Sequence, residues 1–290
     1  MRALITGAGG QLGLELLESA PISVEVIALD HAALDITDQE RVNQSVADHR
    51  PDVIINAAAY TAVDRAEKET DSARSVNGDA VGNLMRAAAD GGTRLIHIST
   101  DFVFGGSATK PYRPRDGPDP QSVYGASKLE GEMQALESSS STVIRVSRLY
   151  SIHADNFVTT MLRLMREREQ LEVVDDQTGS PTWARDLAGV LWRFADHPEL
   201  TGIWHWSDGG SCTWHRWALT IQKQAVERGL LKRAVPIEPV PTSGYPAPAK
   251  RPAYSVLNSS ATCAALDVRQ VPWEVALGTM LDQMAKSTAS

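Results

Sequence analysis

Ala3-Leu4-Ile5-Thr6-Gly7-Ala8-Gly9-Gly10-Gln11-Leu12-Gly13-Leu14-Glu15-Leu16-Leu17 passes from an apolar strand through a glycine-rich turn into a helical run. Gly7, Gly10 and Gly13 let the backbone turn tightly and approach a pyrophosphate, while the free N–H groups and positive end of the helix suit an anion. An ordinary glycine turn is the alternative, but strand, glycines and helix stand in the order a dinucleotide site needs. Further β-branched runs follow at Val24–Leu29, Asp52–Ile55, Arg94–Ile98 and Thr142–Val146, separated by helical stretches. Near-continuous apolar strands alternating with helices predict a parallel sheet covered on both faces, a doubly wound α/β fold.

Beyond residue 150 the pattern becomes irregular, with helices expected near 155–168, 183–195 and 213–228 and a proline-rich structured loop from Pro236 to Pro252. The expected organisation is a dinucleotide-binding domain at 1–150, with 151–290 mainly a smaller substrate-binding lobe. Some segments of that lobe return to pack on the first domain. The 290 residues are 42% hydrophobic, enough for a sizeable core, and no apolar run approaches a membrane span, so a soluble cytoplasmic protein is expected. A net charge of -8 without a basic stripe argues against nucleic acid. Cys212 and Cys263 lie far apart with no zinc spacing, and Ser138–Ser141 reads as the frayed end of a helix.

Asp30 closes the second strand where a carboxylate can accept from adenine ribose hydroxyls; it repels a 2′-phosphate, favouring NADH over NADPH. Asp35 and Ile36 either cap the adenine or begin a turn. At the end of the third strand, Asn56-Ala57-Ala58-Ala59-Tyr60 offers small side chains against which a nicotinamide can lie. Tyr124 and Lys128, four apart in a helical run, put a phenol and an ammonium on one face. A neighbouring cation is expected to draw the phenol below its usual value near ~10 and equip it for proton transfer. A solvated helix face is the bland alternative.

Together TGxxGxxG at 6–13, Asn56-Ala57-Ala58-Ala59, Ser99-Thr100-Asp101-Phe102-Val103-Phe104 and Tyr124-x-x-x-Lys128 resemble an extended short-chain dehydrogenase/reductase with a Rossmann-type sheet. Gly10-Gln11-Leu12-Gly13, Ala62-Val63-Asp64, Asp176-Gln177-x-Gly179-x-Pro181-Thr182 and Arg251-Pro252-x-x-Ser255-x-Leu257 resemble the dTDP-4-dehydrorhamnose reductase family across nearly the whole chain. The resemblance implies reduction of a nucleotide-sugar C4 ketone by NAD(P)H. Tyr124 would be the general acid, Lys128 would hold the nicotinamide ribose and lower the phenol's pKa, and Thr100 would bond near the reacting oxygen. It also implies that Gly10, Gln11, Leu12, Asp30, Asp35, Ile36, Ala59, Tyr60 and Thr61 touch the cofactor, and Thr100 and Asp101 the sugar. Phe102 cannot abstract a proton, which argues for reduction over dehydration.

Arg148 stands where the family usually has tryptophan as a wall of the sugar pocket. It either contacts hydroxyls or diphosphate, or turns outward to a carboxylate. That leaves open the reduction of another nucleotide 4-keto-6-deoxy sugar. A dinucleotide-binding regulatory subunit, like that of methionine adenosyltransferase, is the rival from another class, against which the intact Tyr124 and Lys128 count. Arg251 is the candidate diphosphate clamp of the second lobe, with a surface salt bridge as its alternative; Asn156, Phe157, Gln177 and Trp183 also fit family positions. Some members bridge a dimer through Mg²⁺; Glu15 matches one ligand position, but Arg185 stands where another acidic ligand is expected, which argues against a metal. The expected assembly is a monomer or a homodimer.

Overall fold

A computed structural model of the chain describes residues 1–289. The first half supplies β1 (Arg2–Thr6), α1 (Gln11–Glu18), β2 (Glu25–Leu29), α2 (Gln39–His49), β3 (Val53–Asn56), α3 (Val63–Ala66), α4 (Thr70–Arg74), α5 (Ala80–Gly91), β4 (Arg94–Thr100), α6 (Val123–Ala135) and β5 (Thr142–Val146). The five strand runs read from the sequence all form, and β1, β3, β4 and β5 are buried almost throughout, as strands covered on both faces must be.

The second half supplies β6 (Leu149–Tyr150), α7 (Phe157–Glu167), β7 (Leu171–Val174), β8 (Thr178–Gly179), β9 (Thr182–Trp183), α8 (Ala184–Asp196), β10 (Gly202–Trp206), β11 (Cys212–Thr213), α9 (Trp214–Glu227), β12 (Ile237–Val240), α10 (Ser260–Leu266) and α11 (Trp273–Ala289). Strand β10 pairs in parallel with β5, from Gly202 opposite Thr142 to Trp206 opposite Val146. The parallel sheet therefore runs β2-β1-β3-β4-β5-β10. Chain order reverses between β1 and β3, and ligands of such sheets bind outside the carboxyl ends of the strands at that reversal.

The three larger of the buried groupings among the described residues organise the packing. Leu12 and Leu16 of α1 meet Leu187 and Leu191 of α8 on one face of the sheet, and Val42, Leu84 and Ala88 of α2 and α5 cover the other. A separate core built from Met161, Leu162, Trp217, Ile221, Trp273 and Leu277 underlies the second half. Buried Arg94 of β4 ties these regions together by donating to the carbonyls of Phe194 and Leu200 and to the hydroxyl of Thr142. The proline-rich passage is ordered where Ile237–Val240 pairs in parallel with Leu171–Val174. Among the described residues no helix is long and apolar enough to cross a membrane.

Candidate active site

At the β1–α1 turn, Gly7 adopts φ +65°, and a Cβ there would lie 2.6 Å from the backbone nitrogen of Ala58. A Cβ on Gly13 would overlap the Gly7 carbonyl and Ala8. Both glycines are thus required by close backbone approach. Gly10 begins α1 with no side-chain cap, leaving the first N–H groups of the helix for an anion, and Gln11 holds a buried Oε1 with no partner among the described residues. These residues fit the pyrophosphate region of a dinucleotide. The Leu12 side chain is buried in the core, so only its backbone faces the turn.

Asp30 is exposed and accepts from the N–H of Ala33 at 2.9 Å, which fixes its carboxylate beside the carboxyl end of β2. Of the two readings of Asp35-Ile36, the structure takes the turn. Asp35 accepts from the N–H and hydroxyl of Thr37, bonds that hold its carboxyl below the usual range, while Ile36 is buried with Leu34 and Val42. Adenine capping by the Ile36 side chain is corrected accordingly, because that apolar group is already covered by protein.

Beyond β3, Ala57, Ala58, Ala59 and Tyr60 are partly open and Thr61 is exposed. Their path is fixed by two asparagines. Asn56 Oδ1 accepts from the Ala58 N–H at 3.1 Å, and Asn77, in the π-helical turn Ser75–Asp79, bonds both the N–H and the carbonyl of Tyr60. The Tyr60 hydroxyl donates to Glu69 at 2.6 Å, which pushes the phenol up.

Ser122 caps α6 through the Gly125 N–H at 3.1 Å, and the helix then carries Tyr124 and Lys128 beneath the carboxyl end of β4. Tyr124 is half-buried, meets Phe102 edge-on at 5.6 Å between ring centroids, and has Thr100 beside its hydroxyl. Its pKa is pushed up to about 12, first by burial and further by Asp101, against a lowering by Thr100. The expected depression by Lys128 is therefore corrected. Nζ of Lys128 donates to the Ile98 carbonyl at 2.6 Å and lies 3.3 Å from His97 Nε2, and burial lowers the ammonium to about 8. Asp101 is buried and raised by desolvation, although Ser147 and Thr100 donate hydrogen bonds to it and Ser255 and Arg148 lie near.

Several sequence candidates find other work. Arg148, at φ +47°, donates to the carbonyls of Cys212 and Gln177 at 2.8 Å each and stacks on Trp214 at 4.0 Å. It neither points outward to a carboxylate nor presents a free guanidinium to a ligand, because two carbonyls and an aromatic face already occupy it. Asn156 caps α7 through the N–H groups of Val158 and Thr159, which commits its side-chain oxygen, and Trp183 is packed in the second core with its indole Nε1 buried and without a partner among the described residues. Arg251 makes a two-pronged ion pair with Asp64, at 2.7 and 3.0 Å, and holds that carboxyl below its usual range. The salt-bridge alternative is thus the one adopted, and Arg251 also lines a cavity of about 1050 Å³ together with Phe157, Gln177, Trp214 and Tyr245. Glu15 is buried and, with Glu18, is engaged by Arg185, while Glu15 also accepts from Ser151 at 2.7 Å.

The sequence reading missed His97, Ser147 and the buried pair Arg145–Glu132, joined at 2.6 Å. None stands in a recognisable spacing. A charged residue inside an apolar strand, as Arg145 is, is the one signal that was available.

If Arg148 serves as this internal clamp, Arg148→Met is expected to lower unfolding free energy by about 1.5–3 kcal/mol, since its bonds are charge-assisted, with little change in NADH affinity. Chemical denaturation and cofactor titration check it; wild-type stability with altered sugar selectivity would mean that the guanidinium serves the ligand instead.

Comparison with known proteins agrees with this geometry. The family described as "RmlD substrate binding domain" matches residues 1–286. The chain is 40% identical over 289 residues to the spore coat polysaccharide biosynthesis protein SpsK of Bacillus subtilis (strain 168), covering 99% of each chain. It is 38% identical over 289 residues to the dTDP-4-dehydrorhamnose reductase of Burkholderia thailandensis, covering 96% of this chain and 97% of that one. The crystal structure of dTDP-4-dehydrorhamnose reductase from Bacillus anthracis str. Ames in complex with NADP is similar at a TM-score of 0.91, with 37% identity over 97% of this chain and 99% of that one. A shared sequence pattern over the full length, carried on the same backbone, places this chain in the RmlD substrate binding domain family, that of the dTDP-4-dehydrorhamnose reductases.

Proposed function

We propose that the protein reduces the C4 ketone of dTDP-4-dehydro-L-rhamnose to give dTDP-L-rhamnose, with NADH or NADPH as the hydride donor. The observation that carries the reading is the phenol of Tyr124, set beside Thr100 at the carboxyl end of β4 and one helical turn from Lys128. This site lies on the side of the sheet where the glycine turn opens.

The cofactor supplies the hydride; the protein's task is to place the ketone and deliver a proton. Because burial holds Tyr124 protonated at neutral pH, its hydroxyl is available to donate to the alkoxide that hydride addition creates at C4. Thr100 stands beside that hydroxyl and Phe102 shields it. Lys128, as an ammonium, binds the nicotinamide ribose hydroxyls. Gly7, Gly10 and Gly13 admit the pyrophosphate, Asp30 accepts from the adenine ribose, and Ala57 to Ala59 leave room for the nicotinamide. Phe157, Trp214, Tyr245 and Arg251 line the cavity in which the nucleotide end of the substrate fits.

The direct test follows absorbance of NADH or NADPH on addition of the dTDP-4-keto sugar. Turnover with this substrate supports the reading. Retained cofactor binding without turnover across a panel of dTDP-4-keto-6-deoxy hexoses rejects it in favour of a binding protein.

The pH dependence follows from Lys128. Its folded pKa, about 8, lies below the ordinary 10.5, so the ammonium is lost as pH rises through about 8. Catalytic efficiency toward NADH, kcat/KM, is expected to fall roughly tenfold per pH unit above that point. A profile flat to pH 9.5 would show that the ammonium is not required.

A further inference from the structure

A buried polar chain connects the glycine turn to Lys128. The Thr6 hydroxyl donates to Asn56 Oδ1 at 2.7 Å, and the Ala58 N–H donates to the same oxygen at 3.1 Å. Asn56 Nδ2 then lies 3.0 Å from His97 Nδ1, and His97 Nε2 lies 3.3 Å from Lys128 Nζ. Asn56 and His97 are fully buried and Lys128 is 2% exposed, so water cannot rearrange these bonds.

The proton positions follow from the donor and acceptor inventory. A backbone N–H can only donate, so the Asn56 atom facing Ala58 must be oxygen, and the atom facing His97 must be the amide nitrogen. His97 Nδ1 must therefore accept. A neutral imidazole that accepts at Nδ1 carries its hydrogen on Nε2, and a cationic ring would set N–H against N–H at Asn56. The Nε2–H bond consequently points at Lys128 Nζ. An ammonium has no lone pair to receive it, whereas a neutral amine has one.

We propose that His97, locked as the Nε2–H tautomer by Asn56, is a positioning residue that favours the neutral amine of Lys128 and so sets the pH at which the site loses its ammonium. This rests on the role given to Lys128 above. The other ionisable groups near Lys128 do not supply the same effect. Glu132, one turn on along α6, favours the ammonium, but its carboxylate is taken up by Arg145 of β5 and Ser99 of β4. Tyr124, one turn back, stays neutral, and the π-helical turn packed on α6 contributes the neutral amide of Asn77, bonded to Ser127. The Ile98 carbonyl accepts from either form of the lysine.

Two measurements on the full-length protein test this. Proton–nitrogen correlation spectra of the ¹⁵N-labelled imidazoles are expected to show His97 neutral and protonated on Nε2 from pH 6 to 9. Asn56→Asp, which sets a carboxylate oxygen against Nδ1, is expected to convert that ring to Nδ1–H and so identifies its signal. In His97→Gln the side-chain oxygen can accept from the ammonium, and the alkaline limb of kcat/KM for NADH is expected to move up by about one pH unit, a tenfold change in proton concentration. A wild-type His97 that is cationic or protonated on Nδ1 overturns the proposal, as does an unmoved limb in a folded His97→Gln that binds NADH. The spectra require no turnover, so a protein with the Nε2–H ring and no reductase activity would refute the proposed function separately.

Discussion

Tyr124→Phe is expected to lower kcat by about 10²–10⁴-fold, the range for loss of a positioned acid, while NADH affinity stays unchanged. The substitution removes one oxygen and keeps the ring, so the edge-on contact with Phe102 at 5.6 Å and the Ser122-capped start of α6 are preserved. What disappears is the proton held ready beside Thr100. Because the phenol is protonated throughout the neutral range, the loss should be similar from pH 6 to 8 and should appear in single-turnover NADH oxidation as well as at steady state. Wild-type kcat in the variant would mean that another group protonates the C4 oxygen.

Arg145→Met should bring the largest loss of stability. Its guanidinium meets Glu132 through Nε at 2.8 Å and Nη2 at 2.6 Å, and also stacks on Phe104 at 5.0 Å, with both charged side chains 2% exposed. Removing one partner strands a buried carboxylate, and such losses run to about 3–5 kcal/mol. Replacing both partners, as in Arg145→Met with Glu132→Leu, should recover most of that, since an apolar pair has no charge to desolvate. Denaturant unfolding of the single and double variants measures the difference. A single variant as stable as the wild type would mean that Glu132 finds other compensation. The pair matters to the site because Glu132 lies one turn beyond Lys128 and would otherwise act more strongly on its ammonium.

How much of this was legible depended on the range of the interactions. Strand β1, the glycine turn and α1 could be read directly, because tight turning and helix nucleation are settled within about ten residues. The Tyr124–Lys128 pair was legible for the same reason, a four-residue spacing on one helix. The addition of β10 to the main sheet was not: nothing in Gly202–Trp206 distinguishes a strand that pairs with β5 from one within the second lobe. The phenol's pKa was misjudged because the sequence places a lysine nearby but does not say that its nitrogen turns to the Ile98 carbonyl.

The sequence by itself determined the doubly wound sheet, the glycine-rich turn and the tyrosine with its lysine neighbour, all of which arise from short-range geometry and strand periodicity. Only the tertiary structure decided which charges are already satisfied. Arg251 finds Asp64 across 187 residues, Arg148 finds the carbonyl of Cys212 across 64, and His97 receives its tautomer from Asn56 across 41. A buried polar group takes the partner that folding brings to it, since leaving it unpaired costs more than any local preference can supply.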